Sequence, residues 1–173
     1  MKKILLRSFI AGGLVLAFCS WQVAGASVVL VGGRLHSKSE SKMTAPDFSL
    51  STVAGKTVVL KDLRGNKSAI LFFFTTWCPY CLQKLPMLAR EYENYQSEGI
   101  ELLAIDVGES KAKVASFSNR EHLPFDILLD EDMKVSGDFD VLGVPTVVLV
   151  SKDGVVLYEG NDLPHNYKEL LAS

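Results

Sequence analysis

The residues that could do chemistry stand together in Thr75-Thr76-Trp77-Cys78-Pro79-Tyr80-Cys81. Two thiols separated by two residues can form a redox-active disulfide, supply half of a zinc site, or staple a loop. Zinc wants four ligands at a structural site, or three and a water at a catalytic one. The third cysteine, Cys19, lies in an apolar N-terminal run, and His36, His122 and His165 stand at no paired metal spacing. A staple across two residues closes too small a loop to gain much. The spacing therefore favours redox chemistry carried by the thiols themselves, with no cofactor and no metal expected.

The elements that must hold these thiols can be read from either side. Ser68 to Thr75, SAILFFFT, is an apolar run of strand length, suited to a buried central strand. After it, Cys81, Leu85, Leu88, Tyr92 and Tyr95 recur at steps of four and three, which predicts a helix ending near Gly99. Pro79 fits the first helical turn, where its missing N–H goes unused. Cys78 then falls where the unpaired N–H groups and the helix dipole favour an anion, and the thiolate is the attacking form of a cysteine. Cys81 falls on the inward stripe. The roles follow: Cys78 attacks and Cys81 resolves the mixed disulfide.

Around this centre the chain alternates between strands and helices. Ala45–Leu50 and Lys56–Leu60 flank Ala54-Gly55 as a hairpin, and Leu63–Asn66 is a turn. Strands are expected at Ile100–Val107 and Phe125–Leu129, and helices at Lys111–Arg120 and, in brief, Met133–Phe139. Thr146–Val150 and Val155–Tyr158 form a second hairpin about Lys152-Asp153-Gly154, and Asn166–Ala172 closes as a helix. The expected fold class is α/β, a three-layer sandwich on a mixed sheet with an N-terminal hairpin.

The first residues have a different character. Lys2, Lys3 and Arg7 precede a charge-free run from Ser8 to Gly33. That run is long enough to span a bilayer, and its basic flank would stay inside the cell. Ala24-Gly25-Ala26 also offers a small-residue cleavage site. The expected organisation is an anchor or cleavable signal peptide at 1–33, a Ser- and Lys-rich tether at 34–44, and one domain at 45–173. The domain would lie outside the cytoplasm, where disulfides persist, anchored to the membrane or soluble after cleavage following Ala26. Without Lys2, Lys3 and Arg7 the chain holds 15 basic against 20 acidic residues. That balance leaves no basic patch for nucleic acid.

WCPYC after an apolar strand and Val144-Pro145-Thr146 before a later one resemble the thioredoxin fold. APDFSL, GKTVVLKDLRG, LPM after the cysteines and LGVPTVVLVSKDGVVLYEG resemble, more narrowly, the TlpA/ResA-like membrane-anchored thiol-disulfide oxidoreductases, relatives of the AhpC/TSA redoxins. The resemblance covers Ala45 to Ser173. It implies protein thiol or disulfide substrates, an upstream thiol donor or acceptor, action as a monomer, and reduction of apocytochrome c or other exported protein disulfides among the tasks. It further implies that Pro145 is cis and lies against Cys78. Val144 would offer its backbone to an extended substrate, with Trp77, Pro79 and Tyr80 lining the approach and Trp77 packing under the loop.

Two positions depart from that family. Phe72 stands where thioredoxins bury an acid, and Lys84 where TlpA/ResA-like proteins carry a glutamate. Either change would tune the redox centre. A Lys84 turned inward would stabilise a thiolate and raise the potential above the thioredoxin value of about −270 mV, towards about −200 mV. An exposed Lys84 on the helix flank would not. Asp106, read at a strand end, is either a distant proton relay or a solvated loop acid. Two other activities use related scaffolds. A peroxiredoxin-like peroxidase shares APDFSL and TxxC, but its motif has a proline where Leu71 stands. A copper chaperone would need CxxxC and a histidine such as His122 or His165.

Overall fold

A computed structural model describes residues 43–63 and 65–172. The expected signal or anchor segment, nearly all of the tether, and Arg64 of the expected turn lie outside the described residues. Among the described residues no helix is long and apolar enough to cross a membrane.

The chain forms β1 (Ser49–Ser51), β2 (Thr57–Val59), a 3-10 turn (Leu60–Leu63), β3 (Ser68–Phe74) and α1 (Pro79–Ser97). Then follow β4 (Ile100–Val107), α2 (Lys111–Glu121), β5 (Ile127–Asp130), α3 (Lys134–Asp138), β6 (Thr146–Val150), β7 (Val156–Gly160) and α4 (Tyr167–Leu171). Five strands make one sheet in the order β5-β4-β3-β6-β7, and β1 and β2 form a separate antiparallel pair. β3, β4 and β5 run parallel, while β6 and β7 pair antiparallel to their neighbours. The sheet is therefore mixed, with β3 at its centre.

Every residue of β3 is buried, as expected of a strand covered on both faces. Its alternation divides the core. Ile70, Phe72 and Phe74 pack with Leu85, Leu88 and Tyr95 of α1, Val114 and Phe117 of α2, and Leu171 of α4. Leu71 and Phe73 face the other way, onto Phe48, Leu60, and Val135 and Phe139 from α3 and its C-cap. Helices thus cover both faces, and the β1–β2 pair adds Leu50 and Val58 to the second cluster. Each fully buried phenylalanine contributes about 1.5–3 kcal/mol of apolar burial.

Both hairpins form with shorter strands than the sequence suggests. Residues 45–48 stay outside β1, and Leu60 turns into the 3-10 segment to place its side chain in the core. α1 runs through Pro86, whose missing N–H removes one hydrogen bond without ending the helix. Tyr92, on the expected inward stripe, is half-buried with its ring 5.5 Å from that of Phe125. The chain enters along β7: Thr44 bridges to Val155, Val156 N–H donates to the Met43 carbonyl, and Ala45 N–H to the Gly154 carbonyl. At the other edge Val53 N–H donates to the Ile127 carbonyl, so the β1–β2 turn covers β5.

Candidate active site

β3 runs out at Phe74, and Thr75-Thr76-Trp77 carries the chain to α1, whose N-cap residue is Cys78. An N-cap side chain ordinarily offers an oxygen to an unpaired N–H of the first turn. Here the Cys78 Sγ does so, accepting from the Cys81 N–H at 3.4 Å. The same sulfur lies 3.7 Å from the Val144 carbonyl oxygen, to which its S–H can donate. The Val144–Pro145 peptide is cis, and Pro145 is buried at the entrance to β6. The loop before β6 thus comes against the helix cap.

The two thiols, both unoxidised, are unequal. Cys78 keeps a sliver of exposure at 5 %, whereas Cys81 is wholly enclosed. Burial, and next the hydrogen bond with Cys78, push the Cys81 thiol up to about 12. A thiol so placed keeps its proton. Phe72 lies in the same cluster, stacked on Phe74 with centroids 5.6 Å apart.

The rim is apolar and open. Tyr80 is 70 % exposed and Trp77 65 %. The expectation that Trp77 packs under the loop does not hold: the indole is left exposed to solvent. Leu142, on the loop before Pro145, opens the LGVPT motif and is fully exposed, a place on the rim that the sequence reading did not assign to it. Pro79 is the first residue of α1 and exposed. Lys84 neither points at Cys81 nor stands free: its Nζ lies 2.7 Å from Asp162 Oδ2, on the loop after β7. With Tyr80, Gln83, Met87 and Asp162 it lines an open cleft of about 270 Å³.

Behind the loop lies an acid pair that the sequence shows only as Asp106-Val107-Gly108-Glu109. Gly108, at φ 76°, turns the chain back after β4. The Glu109 carboxylate then accepts from Thr76 twice, from its N–H at 2.5 Å and its hydroxyl at 3.0 Å, and pairs with Lys113 at 2.5 Å. Burial alone would raise Glu109, but Lys113, Asp106 and Thr76 together hold it below the usual carboxylate range. Asp106 is no solvated loop acid. It is a β4 residue with no exposure, beside Phe74 of β3, on the sheet face that carries α1. His122 caps α2 in the left-handed region and His165 is exposed before α4.

Paired thiols at the head of the first long helix, facing a cis-proline loop, belong to the thioredoxin fold, and the chain is a thiol-disulfide oxidoreductase of that fold. It belongs to the AhpC/TSA family, whose family model matches residues 42–159. It is 34% identical over 152 residues to the thiol-disulfide oxidoreductase ResA of Bacillus subtilis, covering 87% of this chain and 83% of that one. It is 41% identical over 113 residues to ResA of Geobacillus thermodenitrificans, covering 65% of this chain and 64% of the relative. Among solved structures, StoA from Bacillus subtilis superposes with a TM-score of 0.62 at 22% identity, covering 74% of this chain and 96% of its own. A thioredoxin-family thiol:disulfide interchange protein from Chlorobium tepidum gives 0.65 at 23%, covering 76% and 94%. These two carry the fold.

Proposed function

We propose that this protein exchanges electrons with exported proteins outside the cytoplasm, through a Cys78–Cys81 dithiol. Cys78 attacks a substrate disulfide, one substrate sulfur leaves as a thiol, and a mixed disulfide forms. Cys81 then attacks the Cys78 sulfur, releasing the reduced substrate and leaving the Cys78–Cys81 disulfide. An upstream dithiol must reduce that disulfide for the next cycle. One observation carries this reading: the outer sulfur is capped on α1 and faces the Val144 carbonyl, with Cys81 enclosed behind it.

Trp77, Tyr80 and Leu142 supply an exposed apolar rim, and the Val144 backbone can pair with an extended substrate strand. That favours a peptide segment over a small disulfide. The direction we favour, from the Cys78–Cys81 dithiol to the substrate, rests on the likeness to ResA. Reduction of the apocytochrome c disulfide to its two thiols is the task the ResA likeness suggests, with the N-terminal run 8–33 as membrane anchor.

The test is to express Cys81→Ser with exported proteins and look for a mixed disulfide on Cys78. Recovery of thiol-cleavable adducts, absent in Cys78→Ser, supports the reading. Equal adducts in both variants would sink it. The reduction potential separates the directions: near or below about −270 mV means a reductant, near or above about −200 mV a disulfide donor.

A further inference from the structure

Asp106 is the one buried acid of the described residues with neither oxygen in a well-formed hydrogen bond. As an anion it would sit uncompensated in an apolar setting, which costs several kcal/mol. Its surroundings are specific. Phe74 and Leu129 flank it on the neighbouring strands, and Val114 and Phe117 of α2 belong to the cluster on its face of the sheet. Thr75, at the end of β3, has a hydroxyl that is also buried without a partner. The charged groups acting on Asp106 are the Glu109 carboxylate and the Lys113 ammonium. Asp130 of β5 is on the opposite face, accepting from the Val135 and Ser136 N–H groups. The Cys78 and Cys81 thiols belong to the same cluster as Phe74.

Two carboxylates facing each other have four acceptor oxygens and no donor. One proton between them removes both difficulties: it neutralises the deeper acid and gives it a hydrogen to donate to Glu109. Glu109 is also the group that holds Thr76, two residues before Cys78, by backbone and side chain together. We propose that Asp106 is a positioning residue for the thiol-disulfide exchange: the proton it shares with Glu109 keeps Glu109 seated on Thr76 and so fixes the loop that presents Cys78.

Burial, and next Glu109, push Asp106 up to about 8, while the Glu109 N–H and Lys113 pull only weakly the other way. The shared proton is therefore lost just above neutrality. Two anions then face each other with Lys113 as the nearest cation, and Glu109, the less buried of the two, gives way and loosens Thr76.

The experiment follows the Thr76 amide by NMR in the full-length chain, together with the Asp106 carboxyl carbon, from neutral pH to roughly two units above. Keeping Cys78 and Cys81 as the disulfide removes their own titration. The expected result is one step near pH 8 seen by both nuclei. In Asp106→Asn, where the amide donates permanently, the Thr76 step disappears. In Glu109→Gln the Asp106 midpoint falls by about one unit or more, since a like charge has gone. A Thr76 amide that stays silent while Asp106 titrates would overturn the proposal. So would an Asp106 already ionised at neutral pH, or a Thr76 step that survives in Asp106→Asn. If Asp106→Asn does not fold, the two-nucleus titration of the parent decides alone.

The consequence for exchange rests on the Cys78 role proposed above. Corrected for thiolate fraction, the parent's rate with a disulfide should fall by about tenfold above the step, as misplacement of a reacting group does, and Asp106→Asn should show no such fall. A rate that does not fall although Thr76 has titrated would overturn the coupling to Cys78. A Cys78 without any exchange activity would overturn its assigned role, and the amide titration would still report the pair.

Discussion

Lys84 and Asp162 join the active-site helix to the loop after β7 through a 2.7 Å ion pair. The pairing takes up a charge that the sequence leaves free to act on the thiols. Asp162 is held below its usual range, first by the Lys84 hydrogen bond. Because its side chain is 68% exposed, solvent screens the pair, which stabilises the fold by at most about 1 kcal/mol.

Lys84→Gln therefore has a small expected effect on the reduction potential, below about 10 mV, measured against glutathione buffers. A lysine acting directly on a thiolate would be worth about 30 mV or more, with the potential falling on its removal. A fall of that size would mean that the lysine reaches the sulfurs in solution.

The stability of the protein should decline between about pH 4 and about pH 8 through Asp106. Its ionisation in the folded chain is pushed up to about 8, against about 4 when unfolded. Below that window the acid is protonated in both states and contributes nothing. Within it only the unfolded chain releases the proton, so stability falls with rising pH by at most about 1.4 kcal/mol per unit. Glu109, shifted downward, acts in the opposite sense, its contribution being lost as pH falls below the ordinary carboxylate range. Urea titrations of the parent and Asp106→Asn across the window should diverge in favour of the variant as pH rises. Parallel curves would show that the acid ionises normally.

Replacing the inner thiol should discriminate size from polarity. Cys81 is wholly enclosed, so Cys81→Ser buries a hydroxyl among apolar side chains at a cost of about 1–3 kcal/mol. Cys81→Ala loses only the sulfur's packing. Chemical denaturation should place the alanine variant above the serine variant. The reverse order would mean that the serine hydroxyl finds an acceptor in the helix.

Trp77→Ala and Tyr80→Ala remove exposed rings and should leave stability within about 0.5 kcal/mol of the parent. Their effect should appear as a raised KM for a protein disulfide. A large loss of stability would show that the rings pack onto the domain in solution.

The layout around Cys78 was legible because it is local: an apolar strand, two thiols, a proline for the first turn and a stripe at helical spacing. The mixed sheet followed from the same kind of signal, repeated along the chain. What stayed hidden depends on groups far apart in sequence. Glu109 reaches back 33 residues to Thr76, and Lys84 finds Asp162 beyond four further strands. Asp106 looked like a loop acid because a charged residue near the end of an apolar strand ordinarily marks its exit to water. Only the neighbours on β3 and β5 reveal that the strand continues buried. Phe72 replaces the acid of thioredoxins, while the buried acid here stands on the adjacent strand and the same face of the sheet.

The way the chain enters along β7 determines which way the thiols look. Met43 and Thr44 are stitched beside Val155 and Val156, next to the turn that follows β6. β6 runs antiparallel to β3, so this is the end of the sheet where β3 begins, and Cys78 lies beyond the end where β3 stops. Seven strand residues at about 3.3 Å each separate the two ends by roughly 20 Å. Met43, where the described chain begins, and Cys78 therefore stand at opposite ends of the sheet, and the face that presents Cys78 looks away from Met43.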